Sequence, residues 1–421
     1  MSIHISDVHA REILDSRGDP TLEVDVHTIA GAVGRASVPS GASTGAGEAL
    51  ELRDTRSARF AGRGVCGAVG HVRGEIKEVL LSRIFRDQAE LDEALIALDG
   101  TPNKARLGAN ALVGVSMAAA RAFAAQDDEP LWRSLADRHD RALVPVPHFN
   151  VVNGGAHAAN PLDLQEFMIA PLGAGSERAA VRAGAEIYRA LRDRLRAAGQ
   201  ATGLGDEGGF APDIARAEDV LDLIVAAIGD AGYTPGRGGV ALALDAAANG
   251  FHRDGLYHIA GQALTSAQMV DWYEELVGRY PIWSIEDGLA EDDRAGWAAL
   301  TERLGERVQI VGDDIFVTNP ETIEKAVADG IGNAALIKVN QIGTVTETLR
   351  AIEVCRRAGY AQMVSHRSGE TADDFIADLA VGIGCGQIKA GAPARGERVA
   401  KYNRLMGIED ATTLHFGLRA P

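Results

Sequence analysis

VALALD (240–245), IWSIED (282–287), VQIVGDD (308–314), NAALIKV (333–339), AQMVSH (361–366) and GQIKAG (386–391) are six short apolar runs, each ending on or carrying an ionisable residue. Those residues are Asp245, Glu286, Asp313, Lys338, His366 and Lys389, spaced by 41, 27, 25, 28 and 23 positions. A spacing of roughly 25 to 40 is one strand plus one crossover helix. Short all-apolar runs bounded by glycine or polar residues suit strands buried on both faces of a parallel sheet. The intervening segments, such as SAQMVDWYEELVGRY (266–280) and PETIEKAVADG (320–330), read as amphipathic helices. The repeated unit implies an α/β fold, either a (β/α) barrel or an open doubly wound sheet. In a barrel the C-terminal strand ends open on one face, so side chains distant in sequence converge on one pocket. That pocket receives three carboxylates, then a lysine, a histidine and a lysine. Solvation explains one charged strand end, but not six in a row sorted with acids first and bases after.

Working outward, 421 residues exceed one ordinary domain. Residues 1–40 read as a strand meander: ISDVHAREILDS, a turn at SRGDP (16–20), then TLEVDVHTIAG and AVGRASVP. Helices follow at roughly 64–85, 88–98, 109–126 and 130–138. Strands first and helices after indicate an N-terminal α+β domain over 1–140, capping a barrel domain over 141–421. LVPVPHF (143–149), with two prolines, reads as the linker. Residues 40–47, SGASTGAG, form a small-residue loop suited to a mobile lid. His157 lies in a glycine-rich loop, Gln165 and Glu166 start an apolar run, and glycines flank Asp206 and Glu207 in GLGDEGGFAP (203–212).

The net charge of −17 argues against nucleic-acid and anionic-membrane partners. An anionic substrate then needs a local positive patch, which the convergent lysines supply. Cys66, Cys355 and Cys385 are odd in number and lack a CxxC, which fits a reducing compartment. MSIHISDVHAREI has no apolar signal region, and ALVGVSMAAARAFAA (111–125) is too short for a membrane span and contains Arg121. A cytoplasmic location and a buried helix at 111–125 are the expectations.

Three oxygen-only acids suit a hard cation such as Mg²⁺. A nearby lysine serves as general base if burial or positive charge lowers its pKa, and Glu207 or Glu166 can serve as acid. Such a set suits removal of a proton α to a carboxylate, with the metal stabilising the charge that develops. Protonation of a β-hydroxyl would complete a dehydration.

The chain resembles the enolase family over nearly its whole length, in AREILDSRGDPTLEV, SGASTG, NGGAHAAN, QEFMIAP, GDEGGFAP, SIEDGLAEDD, VGDD, LIKVNQIG, SHRSGET and QIKAGAPARGERVAKYN. Pairing a base with Mg²⁺ is a known habit of that superfamily. The resemblance implies a C-terminal (β/α)8 barrel with irregular first units, and a Mg²⁺-dependent reversible dehydration of 2-phospho-D-glycerate to phosphoenolpyruvate. It implies Asp245, Glu286 and Asp313 as ligands of one Mg²⁺, and Ser43 as a lid ligand of a second. Lys338 would be the base and Glu207 the acid, with Glu166 coupled to it. Lys389 would meet the substrate carboxylate, and Arg367 and Ser368 the phosphate, a task suited to the guanidinium fork. His157, Gln165 and His366 would line the pocket. Homodimers, sometimes octamers, are the family's assemblies.

The chain departs from the family pattern at Gly47, Gly67, Asn249, Gly250, Ala372, Ala390 and Gly396. None is a proposed ligand, base or acid, but several sit one step from the chemistry, where geometry is tuned. Gly47 leaves lid space for a larger substrate. A secondary-metabolism paralogue acting on a carboxyphosphono substrate is therefore the competing enzyme reading. A non-catalytic binding role would predict an eroded site, and every chemical position is intact.

Overall fold

The structure, a computed structural model, describes residues 3–42, 44–136 and 141–418. Its N-terminal part holds a four-stranded antiparallel sheet of β1 (Ile3–Leu14), β2 (Pro20–Thr28), β3 (Val33–Ser37) and β4 (Ile84–Phe85), in the order β3-β2-β1-β4. The SRGDP turn sets the register, with Leu14 opposite Pro20 and Arg11 opposite Glu23. The helix Ala109–Gln126 is buried along nearly its whole length, as expected for 111–125. It packs on β2 and β3 and, on another side, on barrel helices. At Gly34 of β3 an added Cβ would lie 2.0 Å from the Ala118 carbonyl oxygen, so only glycine lets helix and sheet approach this closely.

Two expected helices are shorter than read. The 64–85 segment is Cys66–His71 and Lys77–Leu81 joined through a π-type turn at Val72–Ile76, and it stops before β4. Gly74 interrupts the helical backbone there, with φ −101° and ψ −110°. Only Leu131–Ser134 is helical in the 130–138 segment, of which 137–138 lie outside the described residues.

All six apolar runs are strands of a closed barrel, which excludes the open sheet. Its members in chain order are β5 (Val146–Asn153), β6 (Glu166–Ala170), β7 (Ala241–Asp245), β11 (Ile282–Glu286), β12 (Gln309–Gly312), β13 (Ala334–Ile337), β14 (Ala361–Ser365) and β15 (Gln387–Lys389). A small antiparallel sheet of β8 (His252–Arg253), β9 (Leu256–Ile259) and β10 (Gln262–Leu264) interrupts the series; the sequence reading gave no sign of it.

The supposed linker is wrong. Residues 146–149 begin β5, every residue of which is buried. Pro147 is tolerated because β5 pairs with β6 only from Phe149 onward, so the missing N–H falls where one flank of the strand is unpaired.

The first units are irregular, as the family likeness implied. β6 runs antiparallel to both neighbours, while the other barrel pairings are parallel. Only a single 3₁₀ turn, Gly155–His157, separates β5 from β6, and two α-helices, Glu177–Ala197 and Ala217–Asp230, separate β6 from β7. Later helices start on side-chain caps: Thr265, Asp293, Asn319 (with Pro320 following) and Thr344. At the barrel floor Gln309 and Gln387 bond each other's amides at 3.0 and 2.8 Å. The barrel is therefore plugged at one end and open at the other. No described helix is long and apolar enough to cross a membrane.

Candidate active site

Strand alternation decides which side chains reach the open mouth. In β7, Leu242 and Leu244 join the outer core while Ala241 and Ala243 face inward, so Asp245 shares the inward parity. The same count carries Val311 to Asp313, Ala334 and Leu336 to Lys338, and Gln387 to Lys389. Because β6 is reversed, its first residue, Glu166, lies at the mouth beside Asp245 and Asn153. Glu207 arrives on the glycine loop. A Cβ at Gly209 would lie 2.8 Å from both the Asn150 and Asn153 side-chain oxygens, so glycine there lets the loop close onto β5.

His157, Gln165, Glu166, Glu207, Asp245, Asp313, Lys338, His366, Arg367, Ser368 and Lys389 all line one cavity. Glu286 joins them through Lys389. Ser43 lies outside the described residues. The Lys389 Nζ donates to Glu286 Oε1 at 2.8 Å and Asp245 Oδ2 at 2.9 Å, and lies 3.2 Å from Glu166 Oε1. Lys338 Nζ is 2.5 Å from Asp313 Oδ2. Glu207 Oε2 accepts from Asn150 Nδ2 at 3.0 Å and lies 3.3 Å from His366 Nε2. The cavity measures only about 20 Å³, hardly more than one water-sized site. A substrate must part these groups to enter.

Electrostatics divides the two glutamates. Burial, then the Glu207 charge, raise Glu166 well above the carboxylate range. Burial also penalises the Glu207 carboxylate, but His366, His157 and Arg398 outweigh it and hold Glu207 well below that range. The two carboxyls are thus pushed in opposite directions, Glu166 towards holding a proton and Glu207 towards its charge. Burial pulls the Lys338 ammonium down, yet Asp313 more than offsets this and leaves it above its ordinary value. Lys389, surrounded by Asp245, Glu166 and Glu286, rises well above its ordinary value despite burial.

Sequence reading missed the groups that fix these residues. Arg398 is fully buried; its Nη1 lies 2.5 Å from His366 Nδ1 and 2.7 Å from the Arg367 carbonyl oxygen, and its Nη2 donates to the Ser368 and Asp206 carbonyls. Burial pushes His366 down to about 4, so the ring is neutral at pH 7. A neutral ring accepting from Arg398 at Nδ1 carries its proton on Nε2, facing Glu207. Gln341 donates to Asp313 Oδ1 at 2.8 Å and to Glu48 Oε1 at 3.3 Å. Asp287 accepts from the backbone N–H groups of Asp313 and Asp314. Asn150, a polar residue inside the apolar FNVV run, carried the one legible signal.

A cation fits the acid set. Glu286 Oε2 is buried with no partner among the described residues, and burial plus the Asp245 charge raise Glu286 well above the carboxylate range. Positive charge at that oxygen would relieve both. In this arrangement Lys389 meets only the other oxygen, Oε1, and Lys338 meets Asp313. The three expected ligands do not form a group whose oxygens all lie within 4.8 Å; among the described residues Asp287, Asp313 and Asp314 do, as do His157, Glu166 and Glu207.

Residues 5–135 match the family described as the enolase N-terminal domain, and residues 141–416 the one described as the enolase C-terminal TIM barrel domain. Over 406 residues the chain is 57% identical to a protein named enolase from Acidothermus cellulolyticus, covering 96% of this chain and 94% of that protein.

Proposed function

The chain belongs to the enolase family and is a phosphopyruvate hydratase, a carbon–oxygen lyase; from that premise we propose how its own residues dehydrate 2-phospho-D-glycerate to phosphoenolpyruvate and reverse the step. The competing carboxyphosphono reading is not favoured by this identity. The observation that carries the assignment of roles is that two lysines, the glutamate pair and the Arg367–Ser368 corner line one cavity.

Lys338 takes the α-proton as base, leaving the electron pair as an enolate on the substrate carboxylate. The Glu166–Glu207 pair holds the one proton that joins the departing β-hydroxyl, so that the C–O bond breaks to give water. His366, fixed by Arg398, and Asn150 orient Glu207 for this transfer. Lys389 meets the substrate carboxylate, Arg367 and Ser368 the phosphate, and His157 and Gln165 shape the wall. Asp245, Glu286 and Asp313 are the residues that would hold Mg²⁺, with two ions per site as the family likeness suggests. Mg²⁺ held there would supply positive charge among these carboxylates and would offset the charge growing on the substrate carboxylate. Lys338 becomes a base only once Asp313 has left it, since that carboxylate holds it protonated. The division at 1–140 and 141–421, a homodimer or octamer, and a cytoplasmic location complete this reading.

The test is exchange of the α-proton with solvent. Lys338→Ala should abolish exchange and dehydration while calorimetry still detects Mg²⁺ binding. Glu207→Gln should keep exchange and lose dehydration. Exchange that survives in Lys338→Ala would remove Lys338 from the base role.

A further inference from the structure

The group assigned to the substrate phosphate is already engaged. Arg367 Nη1 donates to Glu48 Oε2 at 2.9 Å and Nη2 to Glu48 Oε1 at 3.2 Å, a two-pronged pair with side-chain exposures of only 3% and 8%. Glu48 follows the 40–47 loop, and its Oε1 also accepts from the Gly45 N–H. Arg367 also donates to Asn340 Oδ1 at 3.1 Å.

The pair stands between two cavities. One is the small reaction cavity of about 20 Å³. The other, of about 400 Å³, lies beneath the 40–50 loop and is lined by Glu48, Glu51, Asn103, Asn110 and Asn340 among others. Among the described residues Arg367 alone lines both. Glu48 on that wall occupies both prongs of the Arg367 fork, so a dianion reaches the guanidinium only when Glu48 gives it up. A phosphate offers the same planar fork two acceptor oxygens and more charge than a carboxylate, so it can take Glu48's place.

We propose that Glu48 is a positioning residue, the resident counterion of Arg367, which the substrate phosphate displaces on entry. The idea rests on Arg367 being the phosphate anchor. Displacement has a built-in relay. Gln341 bonds Glu48 Oε1 and Asp313 Oδ1, and accepts from Thr318 Oγ1 at 2.6 Å. Release of Glu48 therefore frees one of Gln341's donor contacts beside the carboxylate that holds Lys338. Glu48 on the phosphate anchor and Asp313 on the base are thus linked through one amide.

The sign of the effect separates a counterion from a prop. If Glu48 competes with phosphate, removing its charge strengthens phosphate binding. If it merely props Arg367, removal weakens binding. Inorganic phosphate is the probe, titrated as a competitive inhibitor of 2-phosphoglycerate turnover by the full chain with Mg²⁺. Glu48→Gln should lower the phosphate inhibition constant by about tenfold, the scale of a lost charge-assisted competitor. Glu48→Asp, which keeps the charge on a shorter stem, should move it the same way by less, and covers the case of a poorly folded Glu48→Gln. An unchanged or raised constant in both variants overturns the proposal. Should the Glu48 variants overturn it, Arg367→Gln distinguishes the two levels: weaker phosphate binding there keeps the anchor and drops only the counterion role, and no change there removes both together.

Discussion

Glu177 shows how a single residue can sit at odds with its surroundings. It is the first residue of the helix Glu177–Ala197, fully buried, and neither carboxylate oxygen has a partner among the described residues. The charged group that acts on it is Glu409, which accepts from the Glu177 and Arg178 backbone N–H groups. Burial, reinforced by the Glu409 charge, raises Glu177 well above the carboxylate range. A carboxyl raised on folding means that the folded state binds the extra proton. Its contribution is therefore intact below the unfolded value near 4.5 and is lost as pH rises through the higher folded value. Glu177→Leu should raise the melting temperature at pH 7–8, by the equivalent of about 1–3 kcal/mol, and the gain should shrink towards pH 4. A gain independent of pH would mean that Glu177 is not the titrating group. The catalytic glutamates show the opposite solution to the same problem: Glu207 keeps its charge because Asn150, His366 and Arg398 were brought to it.

Among the elements, β6 matters most to the chemistry. Five residues, EFMIA, run against the direction of their neighbours, and this alone puts Glu166 at the mouth rather than the floor. An apolar run of that length carries no mark of its direction, which depends on the connections on either side. The helix Ala109–Gln126 depends just as closely on β3. Gly34→Ala would push a methyl into the Ala118 carbonyl and the Ala122 amide, both backbone atoms that cannot swing aside. It should cost about 1–3 kcal/mol or more, seen as a lowered melting temperature in the unliganded protein. An unchanged melting temperature would mean that helix and sheet separate more easily than this packing implies.

For the molecule as a whole, the barrel mouth concentrates more buried charge than its protein partners comfortably satisfy. Asp245, Glu286, Asp313 and Glu166 share two ammonium groups, and one Glu286 oxygen has no partner among the described residues. A cation that binds only the folded chain stabilises it by mass action, about 2.7 kcal/mol at a concentration a hundredfold above its dissociation constant. Millimolar Mg²⁺ should therefore raise the melting temperature, and Glu286→Gln should blunt that rise. A melting temperature indifferent to Mg²⁺ in the unmutated chain would argue against the cation site without any appeal to activity. The cap is fastened to the barrel by buried polar contacts. Asp92 accepts from the Thr346 N–H and hydroxyl, and Lys104 pairs with Glu347 at 2.6 Å. Arg367 and Glu48 continue that seam into the site.

By itself the sequence determined the barrel's repeating unit, because buried parallel strands must be apolar and each needs a crossover helix. It also determined which ionisable residues meet, since strand ends at regular spacing share a mouth. Only the tertiary structure decided the rest. It turned a proline-bearing stretch into β5, because pairing on one side makes the lost N–H harmless. It reversed β6, broke the 64–85 helix at Gly74, and folded residues 252–264 into a sheet of their own. It pushed Glu166 and Glu207 in opposite directions, and set Glu48 upon Arg367. Strand direction, coupled carboxyls and ion pairs depend on neighbours from about fifteen to over three hundred positions away, and no local pattern of residues can encode them.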